Sequence, residues 1–317
     1  MPVLFDKINE NAFSGTELTM RKVNELLDPV LSEKVAIARD IKLLENDSRP
    51  RIYWVHGIPG DTPANPAIEN RTIRDPATRW NYIDRIVFVS EWQQAQYAKQ
   101  YKLTPKELKE RTCVIRNAIH PIEAHTKPSG KIKLIYTSVP VRGLNVLYQV
   151  FSEIADRYPN VELDVYSSFN IYGIPHMDKR FERLFDALRA HPQINYYGTV
   201  SNSELREALK QSHIFAYPST FMETSCVALI EAMSAGLLCV HSSIAGLPET
   251  AAGHTNMYEW CTSPTHEKRF AEHLERAIKQ YINGNLSGIP AQQQYINDNY
   301  SWDVRMEEWN NFIKEII

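Results

Sequence analysis

Short apolar runs alternate along almost the whole chain with longer stretches in which hydrophobic residues return every three or four positions. The runs Ile52–Val55, Ile86–Val89 and Cys113–Ile115 predict strands in the first half, preceded by a minimal strand at Val3–Phe5. In the second half the strand candidates are Ile132–Tyr136, Val161–Tyr166, Ile194–Tyr197, Ile214–Tyr217 and Leu237–His241. Several are continuously apolar rather than alternating, which suits parallel strands covered on both faces. Between them, Leu144, Leu147, Val150, Phe151 and Ile154 form one helical stripe, and Phe181, Leu184, Phe185 and Leu188 another. Ser201 or Ser203 can cap a helix through Leu209, with Glu204 in its first turn. Strands and helices in this alternation predict an α/β protein.

At 317 residues the chain has room for about two domains. Glu123–Gly130 is polar, carries Pro and Gly, and separates two strand-rich halves, so it is the expected linker. The boundaries that follow are residues 1–125, residues 126–300, and a final helix over 301–317. That helix carries an apolar stripe of Trp302, Met306, Trp309, Ile313 and Ile316, and is expected to return to the first domain. Gly57–Trp80 is a Pro- and Gly-rich segment of about 24 residues without periodicity, a length that in compact domains points to a functional or mobile loop. Arg71, Arg74 and Arg79 favour an acceptor-facing role over a disordered insertion.

Composition narrows the classes. A formal charge of −3 with no clustered Lys/Arg face argues against a nucleic-acid partner. Cys113, Cys226, Cys239 and Cys261 lie far apart among apolar neighbours, as reduced cytosolic thiols do, and form no C-x-x-C pair. Met1–Phe5 is too short and uncharged for a signal peptide, and no apolar run approaches the ~20 residues of a spanning helix. The expectation is a cytoplasmic protein whose membrane contact, if any, is peripheral.

No phosphate-binding G-x-x-x-x-G-K-[ST], G-x-S-x-G, H-E-x-x-H or G-x-G-x-x-G is present, which argues against several hydrolase and dinucleotide chemistries together. There is no D-x-D pattern to hold a metal-bound diphosphate. The richest stretch runs from Tyr217 to Gly236, where a strand ends, a loop follows and an apolar helix is predicted from about Thr224. Ligands of open α/β sheets sit beyond the carboxyl ends of the strands, and N–H groups around Ser225, Cys226 and Val227 would face an anion there. Glu223 and Glu231 frame that place, eight residues and slightly over two helical turns apart. A cap and a surface carboxylate would be the ordinary explanation. Ile230, Ala232 and Met233 around Glu231 make a surface position implausible.

Glu223 and Glu231 with seven residues between them, then Ala232-Met233-Ser-Ala-Gly236 and Gly246-Leu-Pro-Glu249, resemble the signature of the retaining nucleotide-sugar transferases of glycosyltransferase family 4. Phe88-Val-Ser-Glu91, Val114-Ile-Arg-Asn117, Gly198-Thr-Val-Ser-Asn-Ser-Glu204 and Tyr300-Ser-Trp302 extend the likeness over most of residues 84–317. The resemblance implies the GT-B fold, two Rossmann-like parallel-sheet domains facing across a cleft with the C-terminal helix crossing back. It implies that Glu223 holds donor-sugar hydroxyls, that Glu231 holds the ribose, and that Thr199 and Val200 lie in the base-binding turn. A carboxylate can accept from two adjacent hydroxyls, so both roles are physically apt.

The family's Gly-Arg after the first strand of the second domain is absent. Arg142 stands where Lys is expected and Ser138 could add a hydroxyl, so Arg142 is the diphosphate candidate. Gly15 and Thr16 resemble the family's glycine-bearing loop, or open an ordinary helix. His56, after the strand Ile52–Val55, stands where the family often has a His near the reacting sugar, or is a buried structural histidine. The implied function is retaining, metal-independent transfer of a sugar from a nucleoside-diphosphate sugar to a glycan, lipid-linked or small-molecule acceptor, without a cofactor. A nucleotide-sugar epimerase or a phosphorylase of this fold, or a non-catalytic sugar-nucleotide-binding module, are the alternatives.

Overall fold

The computed structural model describes residues 3–4, 15–60 and 72–317 and divides into two compact units. One comprises the chain up to Ala118, except 11–14, together with Tyr300–Ile317; the other holds Ile119–Asn299. The division thus falls between Ala118 and Ile119, shortly before the polar 123–130 stretch.

The first unit is a parallel sheet of β1 (Val3–Leu4), β2 (Ala36–Ala38), β3 (Arg51–Trp54), β4 (Arg85–Phe88) and β5 (Thr112–Val114), arranged in that order. Helices α1 (Gly15–Leu26), α2 (Pro29–Ser32), α3 (Glu91–Tyr101) and α4 (Pro105–Arg111) connect these strands. Side chains alternate between two cores, as the pleat requires. Ile37, Ile52, Trp54, Val87 and Val89 enter one; Ala36, Ala38, Tyr53, Val55, Ile86 and Phe88 enter the other. Coverage of both faces explains why the runs read as continuously apolar. The Phe88-Val-Ser-Glu91 segment turns sharply because the Ser90 hydroxyl accepts from the Gln93 N–H and caps α3. Buried Gln93 also accepts from Val89 N–H and donates to the Gly57 carbonyl, tying the ends of β3 and β4 together.

The second unit is a six-stranded parallel sheet: β6 (Ile132–Thr137), β7 (Val161–Tyr166), β8 (Ile194–Tyr196), β9 (Ile214–Tyr217), β10 (Leu238–Ser242) and β11 (Asn256–Tyr258). The spatial order is β11-β10-β9-β6-β7-β8. The chain builds outward from β6 to β8, then returns to lay β9 on the other side of β6. Helices α5 (Leu144–Ala155), α6 (Glu182–Ala190) and α7 (Asn202–Gln211) follow β6, β7 and β8. Leu144, Leu147, Phe151 and Ile154 of α5 are fully buried, as their spacing predicts. Ser201 is the cap of α7, in a reciprocal pair with Glu204. After β9 come α8 (Val227–Ser234), α9 (Leu247–Ala251), α10 (Thr265–Ile282) and α11 (Ile289–Tyr300).

The last helix, α12 (Trp302–Ile316), belongs to the first unit. Trp302, Met306, Trp309 and Ile313 are buried in one core with Ile37, Ile52 and Trp54. Trp309 meets Trp54 edge-on at 4.9 Å between ring centroids.

Candidate functional site

In the second unit the strand order reverses between β6 and β9, and such a switch point leaves a crevice at the carboxyl ends of the strands. The segments that leave these two strands are Ser138–Gly143 and Pro218–Cys226. Helix α8 begins at Val227, not near Thr224, with Cys226 as its first flanking residue. Glu223 therefore lies in the loop before the helix, and a spacing counted in helical turns does not apply to it. Long-range contacts aim its side chain instead.

A buried ion pair results. Arg142 Nη1 lies 2.9 and 3.1 Å from the two oxygens of Glu223, which is only 4% exposed. Tyr217 Oη, at the end of β9, also donates to Glu223. Arg142 Nη2 contacts Tyr172 Oη at 3.2 Å, and the guanidinium stacks over the Phe221 ring at 4.6 Å. Burial, the largest single influence, would lower the Arg142 pKa, but Glu223 together with Tyr217, Tyr172 and Cys226 more than offsets it and holds the group well above its ordinary value. Arg142 is a fixed cation. Ser138 is half-buried directly after β6, beside the Tyr136 hydroxyl.

Two glycines make this pairing possible. Gly143 has φ +100°, and a Cβ there would sit 2.0 Å from the Pro218 carbonyl oxygen. The Arg142 turn can thus lie directly on the backbone leaving β9. At Gly246 a Cβ would meet the Thr224 and Glu223 carbonyl oxygens at 2.5 and 2.9 Å, and the Gly246 N–H donates to the Glu223 carbonyl at 2.8 Å. The glycine of Gly246-Leu-Pro-Glu249 pins the loop that carries Glu223.

Glu231, on α8, is 7% exposed. Arg206 Nη1 lies 3.6 Å from its Oε1, and Asn202 Nδ2 donates to the same oxygen at 3.4 Å. Burial raises the Glu231 pKa, opposed by Arg206 and Asn202. Residues Thr199 and Val200, half-buried, enter α7 just before these partners, after Gly198 at φ +69°. The Thr199 hydroxyl is buried with no hydrogen-bond partner in the described structure, an unmet polar demand at the edge of the sheet. Ser225, half-buried, and buried Cys226 precede the first N–H groups of α8, with Val227 its first residue. Burial, then the Glu223 charge, push the Cys226 thiol far above its ordinary value, so it is no thiolate nucleophile. Among the described residues no group of three or more His, Cys, Asp and Glu side chains could hold a metal ion.

In the first unit Gly15 and Thr16 are the first two residues of α1. Phe13 and Ser14 lie outside the described residues. Glu17 pairs with Arg39, which follows β2, at 3.0 Å. His56 follows β3 and packs against Trp54 at 4.7 Å. Burial first, then the charge of Arg39, lower its pKa to about 3, so its imidazole is neutral at physiological pH. The acceptor-facing expectation for the arginines of residues 57–80 fails for Arg79. It is fully buried, donates to the Tyr101 carbonyl at 3.0 Å and pairs with Glu107 at 3.7 Å. Arg74 is exposed, and Arg71 lies outside the described residues.

Sequence reasoning missed Tyr217, Tyr172, Asn202, Arg206 and Arg39. Tyr217 ends a predicted strand, and Asn202 and Arg206 lie four apart in the first turns of a predicted helix, so both signals were available. Arg39 follows a three-residue strand of Ala-Ile-Ala with no periodic signal.

Residues 119–300 match the family described as Glycosyl transferases group 1. A human protein that is one subunit of phosphatidylinositol N-acetylglucosaminyltransferase is 27% identical over 194 residues, covering 60% of this chain and 38% of its own length. The corresponding gpi3 subunit of Schizosaccharomyces pombe is 22% identical over 253 residues, covering 78% and 51%. The chain thus spans about half or less of these curated relatives. Among solved structures, Anabaena HepE in complex with UDP superposes with a TM-score of 0.70 at 15% identity, over 93% of this chain and 84% of HepE. A glycosyltransferase of Rickettsia africae gives 0.69 at 14% identity, over 99% and 83%. These likenesses show a GT-B fold of two parallel-sheet α/β domains.

Proposed function

The chain belongs to the glycosyl transferases group 1 family, whose members are glycosyltransferases, and on that premise we propose that it transfers a sugar, with retention, from a nucleoside-diphosphate sugar to an acceptor hydroxyl. The observation that supports this reading most is the buried Arg142–Glu223 pair at the switch point of the second unit. Glu223 would accept from hydroxyls of the donor sugar, and Arg142, with the N–H groups at Ser225, Cys226 and Val227, would face the diphosphate. Glu231 would accept from the ribose hydroxyls, and Thr199 and Val200 would border the base. Charge develops on the diphosphate as it leaves, where a cation already fixed by Glu223 needs little reorganisation. This arrangement favours a reaction without divalent metal or cofactor.

For the acceptor, the proposal is a lipid-linked hydroxyl reached by peripheral membrane contact on the cytoplasmic side. Its support is the similarity to subunits whose names specify transfer to phosphatidylinositol. No helix of the described residues is long and apolar enough to cross a membrane. The test incubates the full chain with labelled UDP-, GDP- and ADP-sugars and a lipid extract in excess EDTA. The expected result is a labelled lipid whose anomeric proton coupling matches the donor's. A converted nucleotide sugar without acceptor labelling would mark an epimerase; restoration of lost activity by magnesium would end the metal-free reading.

A further inference from the structure

The second unit ties Glu231 to Arg206 by a contact that the donor reading does not require. Arg206 and Asn202 both rise from the start of α7 and both address Oε1 of Glu231, at 3.6 and 3.4 Å. No described contact is assigned to Oε2. Arg206 is itself clamped: its Nη2 donates to the His120 carbonyl at 2.9 Å and lies 3.3 Å from that of Pro121. The guanidinium thus bridges the entry of the chain into this unit and the carboxylate on α8. It is 21% exposed and Glu231 9% by side chain, so water screens the pair only partly.

We infer that Arg206 is a positioning residue for nucleotide binding. It holds one oxygen of Glu231 and keeps the carboxylate ionised, so that the other oxygen is presented to ribose hydroxyls. This rests on the ribose role proposed for Glu231. The physical need is plain. A carboxylate buried on an otherwise apolar helix drifts toward its neutral acid, and a neutral acid loses half its acceptor capacity and gains a donor. Burial does raise the Glu231 pKa, and the groups that oppose it are Arg206 first and then Asn202. A purely structural Arg206, clamping His120 and Pro121, would influence folding without making nucleotide affinity depend on proton concentration.

The experiment measures calorimetric binding of UDP, GDP and ADP to the full chain between pH 5.5 and 8.5, in wild type, Arg206→Gln, Arg206→Lys and Glu231→Gln. Wild type is expected to bind with a shallower pH dependence than Arg206→Gln. Arg206→Gln should bind about tenfold or more weakly near neutrality, the scale of one charged hydrogen bond, and recover affinity as pH rises. The sign follows because loss of the cation lifts the Glu231 pKa further, and base restores the carboxylate. Arg206→Lys should keep most of the affinity and the shallower profile of the wild type. With 2′-deoxy-UDP the penalty of Arg206→Gln should shrink, because one of the two hydroxyls that Glu231 would grip is gone.

A loss in Arg206→Gln that is constant across pH and equal for ribose and deoxyribose would overturn the proposal in favour of a structural clamp. So would unchanged affinity in that variant beside a weakened Glu231→Gln. If Glu231→Gln binds like wild type, or wild type binds none of the three nucleotides, the ribose reading fails first and takes this inference with it. Should Arg206→Gln not fold, the comparison passes to Asn202→Ala. It removes the weaker support alone and should show a smaller shift of the same sign; a flat, unshifted profile there would count against the proposal.

Discussion

The two units are both parallel sheets, yet they offer their strand ends in different ways. In the second unit the order β9-β6-β7-β8 reverses direction beside β6, and the loops of β6 and β9 deliver Arg142 and Glu223 to each other. In the first unit β1 to β5 follow in sequence order, with no such reversal among the described residues. Its strand ends carry the half-buried Glu17–Arg39 pair and a neutral His56. At its strand ends one unit therefore holds charge in buried carboxylate–arginine pairs, whereas the other keeps its imidazole uncharged there and places its buried Arg79–Glu107 pair ahead of β4 and β5. Buried pairs are poor sources of stability, since desolvation consumes most of their attraction. Two of them on consecutive segments of one unit point to ligand chemistry. The units also differ in how they close: the described residues of the second run without a break from Ile119 to Asn299, whereas the first needs α12 from the far end of the chain.

The largest effect should come from that last difference. Deleting Trp302–Ile317 removes Trp302, Met306, Trp309 and Ile313 from a shared core and exposes its apolar docking surface. The expected outcome is an insoluble or inactive protein, checked by yield in the soluble fraction and by activity. A soluble, fully active truncation would show that the two units close alike.

Next in size, Glu223→Gln should lower kcat at saturating donor by about 100-fold or more, the scale seen when one contact to developing charge is lost. Nucleoside-diphosphate affinity should change only a few-fold, because Glu223 is assigned to the sugar. Near-normal turnover would remove the reason for setting the second unit apart as the chemical one.

The smallest effect concerns His56. Its pKa is about 3 in the fold, below the ordinary value of 6.5, so between these limits the unfolded chain binds the proton and the folded one does not. Stability from this group is whole above pH ~6.5 and is lost as pH falls toward 3. The melting temperature should drop on acidification from pH 7 to pH 5, and less steeply in His56→Gln. His241, lowered to about 4 by burial, acts in the same direction, so His56→Gln should remove only part of the slope. An unchanged slope would mean that His56 is accessible to protons, and the contrast with the ionic second unit would narrow.

Much of this was legible in the residues. Continuous apolar runs marked both-face burial, and they carried nearly every long strand to within a residue or two of its observed span. Ser201 or Ser203 with Glu204 marked a helix start, because such signals are local, and Glu223 with Glu231 marked a candidate site by its likeness to a family signature. Strands β2 (Ala-Ile-Ala) and β11 (Asn-Met-Tyr) were not found, since each carries a single β-branched or aromatic side chain. Arg79 was misread because no partner for it lies in its own segment, while the Tyr101 carbonyl and Glu107 that hold it come from later elements.

What the sequence alone determined is therefore the alternation of strand and helix, the number of units and which carboxylates are candidates. Tertiary structure decided what those carboxylates face. Arg142 is 81 positions from Glu223 and Asn202 is 29 from Glu231, and neither distance has a periodic trace. The Gly143 turn resting on Pro218 and the Gly246 turn resting on Thr224 bring the loops together. Glycine is required there by the approach of another backbone, and only the folded chain supplies that neighbour.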